Sequence, residues 1–171
     1  NYAVADLLAG DERFEGGEFA VLYLAPKDYH RVHSAREGQV VRYHYRRGAL
    51  WPVFPAATRT ISGLFARNER LIIEQESPGL GVFCSVMVGA FGVGRMKAVF
   101  TDLVTNTSAV SVEQVLDRPF AVERGEELGR FEMGSTVILV LPPGSVSWEV
   151  DAGEDVVLGQ RIAVIRDPSP A

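Results

Sequence analysis

Short apolar runs, separated by glycine, proline and charged residues, recur along this chain and predict many short β-strands. Between residues 38 and 47 apolar and polar residues alternate, which predicts a strand with Val41, Tyr43 and Tyr45 toward a core and His44 toward solvent. Continuous apolar runs predict buried strands, two of them between 81 and 93, and the others at 19–24, 71–74, 98–104 and 136–141. Short strands are predicted at 110–112 and 120–122.

Helical patterns are few in this sequence. Residues 4–10 predict a short helix closed by Gly10, and no long amphipathic helix is found. Residues 125–131 and 153–162 both place glycines around an apolar turn, as barrel-sandwich folds with two related halves do. We therefore predict a mainly β fold (β-rich α+β) with a barrel-sandwich-like core and few short helices, in a single domain over residues 1–171.

Composition and charge narrow the class of protein. An apolar content of 47% with 23% charged residues is typical of a folded globular domain. The net charge of −5 does not favour nucleic acid as a partner. Cys84 is the one cysteine, so a disulfide scaffold is excluded and a reducing, cytoplasmic-type compartment fits. No signal peptide is recognised, and no apolar stretch reaches the 18 or so residues of a membrane span.

Gly134 and Ser135 stand immediately before the apolar run at 136–141. Glycine has no Cβ, so the backbone at Gly134 can adopt angles that bring the serine hydroxyl toward the preceding carbonyl carbon. With a base at hand, the Ser135 hydroxyl can attack the Gly134 carbonyl and convert the amide into an ester. Elimination from that ester cuts the chain and leaves an N-terminal pyruvoyl group, whose carbonyl forms a Schiff base with an amine and accepts electrons. The alternative is an ordinary turn before a buried strand.

His30 and His33 are the candidate bases. They would share a face in a helical turn and point to opposite faces in a strand. A general base suits imidazole, because its pKa lies near neutral pH. Metal binding has little support. With His44 assigned to the solvent side of a strand, Cys84 is the only other soft ligand. We therefore predict no metal site. Two loop histidines with ordinary hydrogen bonds are the structural alternative.

The sequence patterns that would indicate other reaction classes are weaker. Ser135 admits a serine hydrolase, but it lacks a Gly-x-Ser-x-Gly elbow and precedes a strand where that motif precedes a helix. Residues 89–94 are glycine-rich but lack the Gly-Lys-Ser/Thr ending of a phosphate-binding loop. One polar stretch fits either a polar cluster at the site or a capped turn, and consists of Arg67, Asn68, Glu69 and Arg70.

Four segments follow one another along the chain. They are Tyr-Leu-Ala-Pro-Lys-Asp-Tyr-His-Arg-Val-His-Ser at 23–34, Leu-Phe-Ala-Arg-Asn-Glu-Arg at 64–70, Met-Val-Gly-Ala with Val-Gly within 87–94, and Gly-Glu-Glu-Leu-Gly-Arg-Phe with Gly-Ser-Thr within 125–136. In this order they resemble the histidine motif, the Asn-Glu-Arg motif, the glycine segment and the processing site of phosphatidylserine decarboxylases of the bacterial and mitochondrial type. Ala35 departs from the proline that this family commonly has after His-Ser, a change that affects loop stiffness.

The resemblance implies a pyruvoyl-dependent proenzyme that cuts itself between Gly134 and Ser135. The β subunit would be residues 1–134, and the α subunit residues 135–171 with the pyruvoyl group, derived from Ser135, at its start. By the family pattern His33 is the base that activates Ser135 for cleavage, and His30 acts in decarboxylation by protonating the carbanion left after CO2 departs. The implied substrate is phosphatidylserine and the product phosphatidylethanolamine, and a homodimer is compatible with this reading.

The family's self-cleavage triad also includes an aspartate, in a Ser-Pro-x-Asp-Gly motif upstream of the helix at 4–10. Its membrane-docking amphipathic helices lie in the same upstream region. We expect both outside these residues, because Asp6 does not match the motif. For the full protein the resemblance implies peripheral attachment to the cytoplasmic face of the bacterial inner membrane. A non-catalytic β barrel-sandwich binding domain is the main alternative.

Overall fold

The computed structural model describes residues 3–107, 109–132 and 136–166, without the side chain of Pro55. The predicted cleavage pair, Gly134 and Ser135, lies outside the described residues. The α-helices and strands of the described residues are, in chain order, α1 (Val4–Leu7), β1 (Glu18–Tyr23), β2 (Arg31–His33), β3 (Gly38–Arg46), α2 (Pro55–Thr60), α3 (Leu64–Arg67), β4 (Arg70–Ser77), β5 (Gly81–Val88), β6 (Met96–Ala98), β7 (Val112–Val122), β8 (Glu127–Phe131), β9 (Thr136–Leu141), β10 (Val146–Trp148) and β11 (Ala163–Ile165).

The strands form two packed sheets and a separate hairpin. The large sheet has six antiparallel strands in the order β1-β9-β5-β4-β3-β7. The small sheet has three antiparallel strands in the order β2-β8-β6, and β10 pairs with β11. The predicted mainly β fold with few short helices is confirmed.

The large sheet is covered on both faces. One face packs against the small sheet, with Tyr43, Ile73 and Met87 meeting Val32 and Leu128. The other face packs against α1 and α3 through a second apolar cluster. Strands between two such layers are apolar throughout, which explains the continuous runs in β4, β5 and β9. No helix among the described residues combines the length and apolar character that crossing a membrane requires.

Three strand predictions are wrong. The segment 81–93 contains one strand, because the chain turns after β5 through a hairpin-like bend in which Ala90 and Val93 exchange backbone hydrogen bonds. Residues 98–104 are not a strand, because the chain folds back after β6 until Val104 pairs with Lys97. The predicted short strands at 110–112 and 120–122 are replaced by one long strand, β7, which begins at Val112 and ends at Val122. That strand forms the edge of the sheet, so most of its residues are exposed and Pro119 is tolerated there.

The prediction for β3 fails at two positions. A register shift between Val40 and Arg42 buries Val40 fully and leaves Val41 half-buried, whereas Tyr43 and Tyr45 are buried as predicted. His44 was expected to face solvent but is only 8% exposed, because the second face of the sheet is also covered. Burial lowers the pKa of His44 below its ordinary value of 6.5, against a smaller opposing effect of Glu113.

The two glycine-containing segments do share a turn. In Glu123–Glu126 and Asp151–Glu154 the fourth residue donates its N–H to the first carbonyl, and its carboxylate accepts the first N–H. The third residue is glycine at φ 83° and 93°, a left-handed angle that favours glycine. The same turn recurs at Val157–Gln160. The predicted likeness is therefore local, because β8 follows the first turn and the next strand after the other two begins at Ala163.

We predict that His44 makes the folded state sensitive to mild acid. Between pH 6.5 and its lowered folded pKa, the unfolded chain takes up a proton that the folded chain does not. The free energy of unfolding should therefore fall as pH falls below 6.5, and it should fall less in His44→Gln. Urea unfolding from about pH 7.5 to about pH 5.5 measures this difference. Parallel pH profiles for the two proteins would contradict it.

Candidate active site

The start of β9 marks the place where the candidate site lies. Thr136 is fully buried and pairs with Tyr23 at the end of β1 and with Val88 at the end of β5. Its hydroxyl oxygen has no hydrogen-bond partner among the described residues. The residue that follows Ser135 in sequence is thus held between two strand ends, with a buried polar atom free to meet a neighbouring group.

The histidine motif is bound along β8, the strand that leads toward Gly134 and Ser135. β2 pairs with β8, and the His30 carbonyl accepts a hydrogen bond from the Phe131 N–H (3.0 Å). At the other end, Ser34 exchanges backbone hydrogen bonds with Gly125 and Glu126 (2.8 Å each). Residues 30–34 of the motif therefore lie alongside residues 125–131.

The two motif histidines stand on opposite faces of the small sheet. They are three residues apart in extended chain, and side chains alternate between faces in a strand. His30 is half-buried, and its Nδ1 has no partner within the described parts of the chain. Of the two patterns that the spacing allowed, the structure has the strand. His30 and His33 are not brought onto one face.

His33 is held from both sides. Its Nδ1 lies 2.7 Å from the Gly125 carbonyl oxygen, and its Nε2 lies 3.0 Å from the Tyr29 hydroxyl. The Tyr29 ring also stacks on the imidazole, with centroids 5.6 Å apart and planes 19° apart. A carbonyl only accepts, so neutral His33 carries its proton on Nδ1 and accepts from Tyr29 at Nε2. The unprotonated nitrogen that a general base needs is therefore Nε2.

The Asn-Glu-Arg segment forms a buried polar network, and it joins three regions of the chain. Asn68 donates from its amide to the carbonyls of Trp51 (2.8 Å) and Gly89 (2.9 Å). Glu69 accepts from the Tyr45 hydroxyl (2.8 Å) and the Asn106 N–H (2.7 Å). Burial, together with the hydrogen bond to Glu69, raises the pKa of Tyr45 to about 12.

Arg70 completes this network by binding helix ends. Its guanidinium donates to the carbonyls of Asp6 (2.9 Å) and Leu7 (2.7 Å) in α1 and of Ala66 (2.6 Å) in α3. The last carbonyls of a helix have no partner within the helix, and a cation suits that end. Arg67, by contrast, is exposed and stacks over the Trp51 ring at 4.1 Å. Asn68, Glu69 and Arg70 therefore form a buried polar cluster, and its part in the site stays a prediction.

The glycine segment supports the same region by close backbone approach. The Gly89 N–H donates to the Glu69 carbonyl (2.8 Å). A Cβ at Gly89 would lie 3.1–3.2 Å from Leu50, the Glu69 carbonyl and the Val93 carbonyl. Any larger residue at 89 would therefore push apart the strand end that faces Thr136.

Sequence reasoning missed three contributors to this site. Tyr29 lies four residues before His33 in the motif, and its aromatic ring was the available indication. The Gly125 carbonyl is a backbone group, so no residue type could reveal it. Thr136 reads as the first residue of an apolar run, and only its burial and its unpaired hydroxyl draw attention to it.

In the described part of the chain, no group of three or more His, Cys, Asp or Glu residues is arranged to bind a metal ion. Cys84 is buried, and burial raises the pKa of its thiol. A thiol of that kind is a core residue rather than a nucleophile.

Comparison with known proteins shows the family of this chain. The family model described as phosphatidylserine decarboxylase matches residues 1–164. The chain belongs to the phosphatidylserine decarboxylase family. Gly134, Ser135, His30 and His33 all fall within the matched range.

Curated relatives of the phosphatidylserine decarboxylase family cover most of this chain. The protein named phosphatidylserine decarboxylase proenzyme of Anaeromyxobacter sp. (strain K) is 50% identical over 151 residues, which are 84% of this chain and 53% of that protein. The proteins of the same name from Myxococcus xanthus and Brevibacillus brevis are 41% and 38% identical, over 96% and 95% of this chain and 60% and 61% of their own lengths. The chain thus spans between half and two thirds of these relatives.

We predict that the Tyr29 hydroxyl donates a hydrogen bond to His33 Nε2 in solution and so favours the tautomer with its proton on Nδ1. Tyr29→Phe keeps the stacked ring and removes one hydrogen bond, at a cost of about 1 kcal/mol in folding free energy. Long-range ¹H–¹⁵N NMR should show the Nδ1–H form in the parent protein. In the variant the Nε2 resonance should move toward that of an imidazole nitrogen without a donor.

Tyr23→Phe is the matched control, because Tyr23 is exposed at the end of β1, whereas the ring stacked on His33 is that of Tyr29. It should leave the His33 signals unchanged. An Nε2–H form in the parent protein, or identical spectra for Tyr29→Phe and the parent, would show that the pairing is not formed in solution.

Proposed function

We propose that this chain is the catalytic part of a phosphatidylserine decarboxylase proenzyme, which cuts itself between Gly134 and Ser135 and then converts phosphatidylserine to phosphatidylethanolamine. The observation that supports this most is the pairing of β2 with β8. It binds the histidine motif along the strand that leads to Gly134 and Ser135. Membership of the family and the names of the relatives support the substrate.

Self-cleavage requires no external reagent but water. A base takes the hydroxyl proton of Ser135, Oγ attacks the Gly134 carbonyl carbon, and the C–N bond breaks as the nitrogen gains the proton. Removal of the Ser135 Cα proton then expels the Gly134 carboxylate. The new N-terminal dehydroalanine isomerises to an imine, and water replaces its nitrogen, which leaves as ammonia. The peptide bond is thus exchanged for a carboxylate and a ketone without net oxidation.

His33 is the proposed base for the first proton. Its Nδ1 is engaged by the Gly125 carbonyl, so Nε2 is the nitrogen available to accept a proton. Release of the Tyr29 hydroxyl from Nε2 must come first. The triad aspartate that the family pattern implies upstream of α1 would add an anionic partner for the imidazolium.

His30 is the proposed acid of the decarboxylation step. Its half-buried position and unpaired Nδ1, within the described residues, fit a proton donor that meets its partner only when substrate is bound. The buried, unpaired Thr136 hydroxyl likewise fits a small polar group at position 135. When formed there, the pyruvoyl group supplies a carbonyl that withdraws electrons from the bond to the departing CO2.

The same proposal covers assembly and location. The two segments stay together after cleavage, because β9 of the segment after the cut pairs on both sides with strands of the segment before it, β1 and β5. We propose peripheral attachment to the cytoplasmic face of the bacterial inner membrane, where phosphatidylserine is available, and a homodimer as the assembly to test.

We predict that cleavage and turnover both require Ser135. In the full-length protein, a denaturing gel should show two fragments, and Ser135→Ala should run as one uncut band. Its decarboxylation of phosphatidylserine should fall on the order of 10³-fold or more. Borohydride added together with substrate should inactivate the parent protein. His33→Gln should block the cut, whereas His30→Gln should be cut and still turn over poorly.

Ser62→Ala is the matched serine control, because Ser62 is exposed in the turn between α2 and α3. It should be cut and active. A parent protein that stays uncut and does not decarboxylate would indicate a binding domain instead. An uncut parent that a fluorophosphonate labels at Ser135 would indicate a serine hydrolase.

A further inference from the structure

The outer face of the small sheet carries a row of basic side chains. Arg31 on β2 lies directly opposite Arg130 on β8, and Arg130 lies directly opposite Lys97 on β6. Their side chains are 46%, 45% and 39% exposed. Arg95, just before β6, is exposed as well (51%). We name these four residues the basic row.

Stability does not explain the basic row. Like charges directly opposite one another on paired strands are unfavourable. Glu127 contacts Arg31 (2.5 Å) and Arg130 (3.7 Å), which offsets part of the repulsion. Glu132 contacts Lys97 (2.9 Å) and Arg95 (3.6 Å). Ion pairs this exposed contribute little to folding.

The basic row keeps a positive excess on an acidic protein. Glu127 and Glu132 are the two carboxylates in ion-pair contact with it, against its four cations. The hydrogen bond from Lys97 holds the pKa of Glu132 below its ordinary value. The four cations exceed these two carboxylates by two, and Asp102 in the adjoining cleft reduces the local excess to one positive charge, on a chain whose net charge is −5.

Apolar surface adjoins the basic row. An open cleft of about 390 Å³ lies between Lys97, Arg130 and the loop at 98–104. Val99, 45% exposed, Leu103 and Val104 contribute its apolar wall, and the carboxylates of Asp102 and Glu127 also line it. Cations beside exposed aliphatic side chains match a surface whose phosphates overlie hydrocarbon.

The basic row also adjoins the candidate site along the chain. Arg31 follows His30, and Arg130 precedes Phe131, the residue bonded to the His30 carbonyl. A surface bound to the basic row would therefore lie beside the histidine motif.

We propose that the basic row is a docking site for the face of an anionic phospholipid bilayer. Guanidinium groups bind phosphate oxygens in pairs, and three of the four cations are arginines. The proposal rests on the proposed function only for its purpose, which is to bring a lipid-acting site to the membrane. Its chemistry depends on charge and geometry alone. It is separate from any contact that the upstream region makes.

Vesicle co-sedimentation of the full-length protein tests the basic row without turnover. Vesicles of phosphatidylcholine with phosphatidylglycerol carry negative charge and contain no substrate. A basic residue near such a surface is worth about fivefold in binding. Lys97→Gln with Arg130→Gln should therefore weaken binding roughly 25-fold at low salt, and Lys97→Gln alone about fivefold. Raising the salt concentration should shrink both differences.

Arg59→Gln with Arg118→Gln is the matched control, because it removes the same charge from exposed positions on α2 and β7. Circular dichroism checks that each variant is folded. The proposal is overturned if the control weakens binding as much as the double variant, or if neither changes it. It is also overturned if the basic row binds heparin or DNA and not vesicles. Because no cleavage or decarboxylation enters the readout, these results stand whether or not Ser135 is processed.

Discussion

The buried hydrogen-bond network of Asn68, Glu69 and Arg70 is the constraint on which the rest of the site depends. Each side chain joins β4 or the segment before it to a different part of the molecule: the glycine segment, the end of β3 and the ends of two helices. All three side chains lie in the interior, where a polar group left without its partner costs about 1–3 kcal/mol. The end of β5, which pairs with Thr136, therefore cannot move away from β4 without breaking the bond from Asn68 to the Gly89 carbonyl.

That rigidity suits the self-cleavage that we propose. Gly89 brings the end of β5 against β4, and Thr136 is enclosed between β5 and β1. On the other sheet, β8 pairs with residues 31–33 of the histidine motif, and the Gly125 carbonyl orients His33. A reaction of one backbone peptide group with its own side chain needs fixed neighbours more than it needs many catalytic groups, because alignment supplies much of the rate. The fold provides those neighbours from segments far apart in sequence.

Much of this fold follows from local pattern, and the failures have identifiable causes. Alternation located β3, and continuous apolar runs located β4 and β9, because buried strands differ in composition from turns. β7 escaped as a single strand since an edge strand needs no apolar face, and His44 was misplaced because alternation cannot reveal that a sheet is covered twice. In the site, residue types indicated His30 and His33. The Gly125 carbonyl and the register that aligns Arg31, Arg130 and Lys97 depend on pairing between distant segments, which no local pattern encodes.

The central claim is that the protein's own side chains convert Ser135 into a pyruvoyl group, which carries a ketone. The intact mass of the purified full-length protein tests it most directly. We expect two chains, the second beginning at position 135 and lighter by one ammonia than a fragment that starts with serine. A second chain that begins with unmodified serine would mean simple hydrolysis, and a single chain of full mass would mean no processing. Either result would contradict the account.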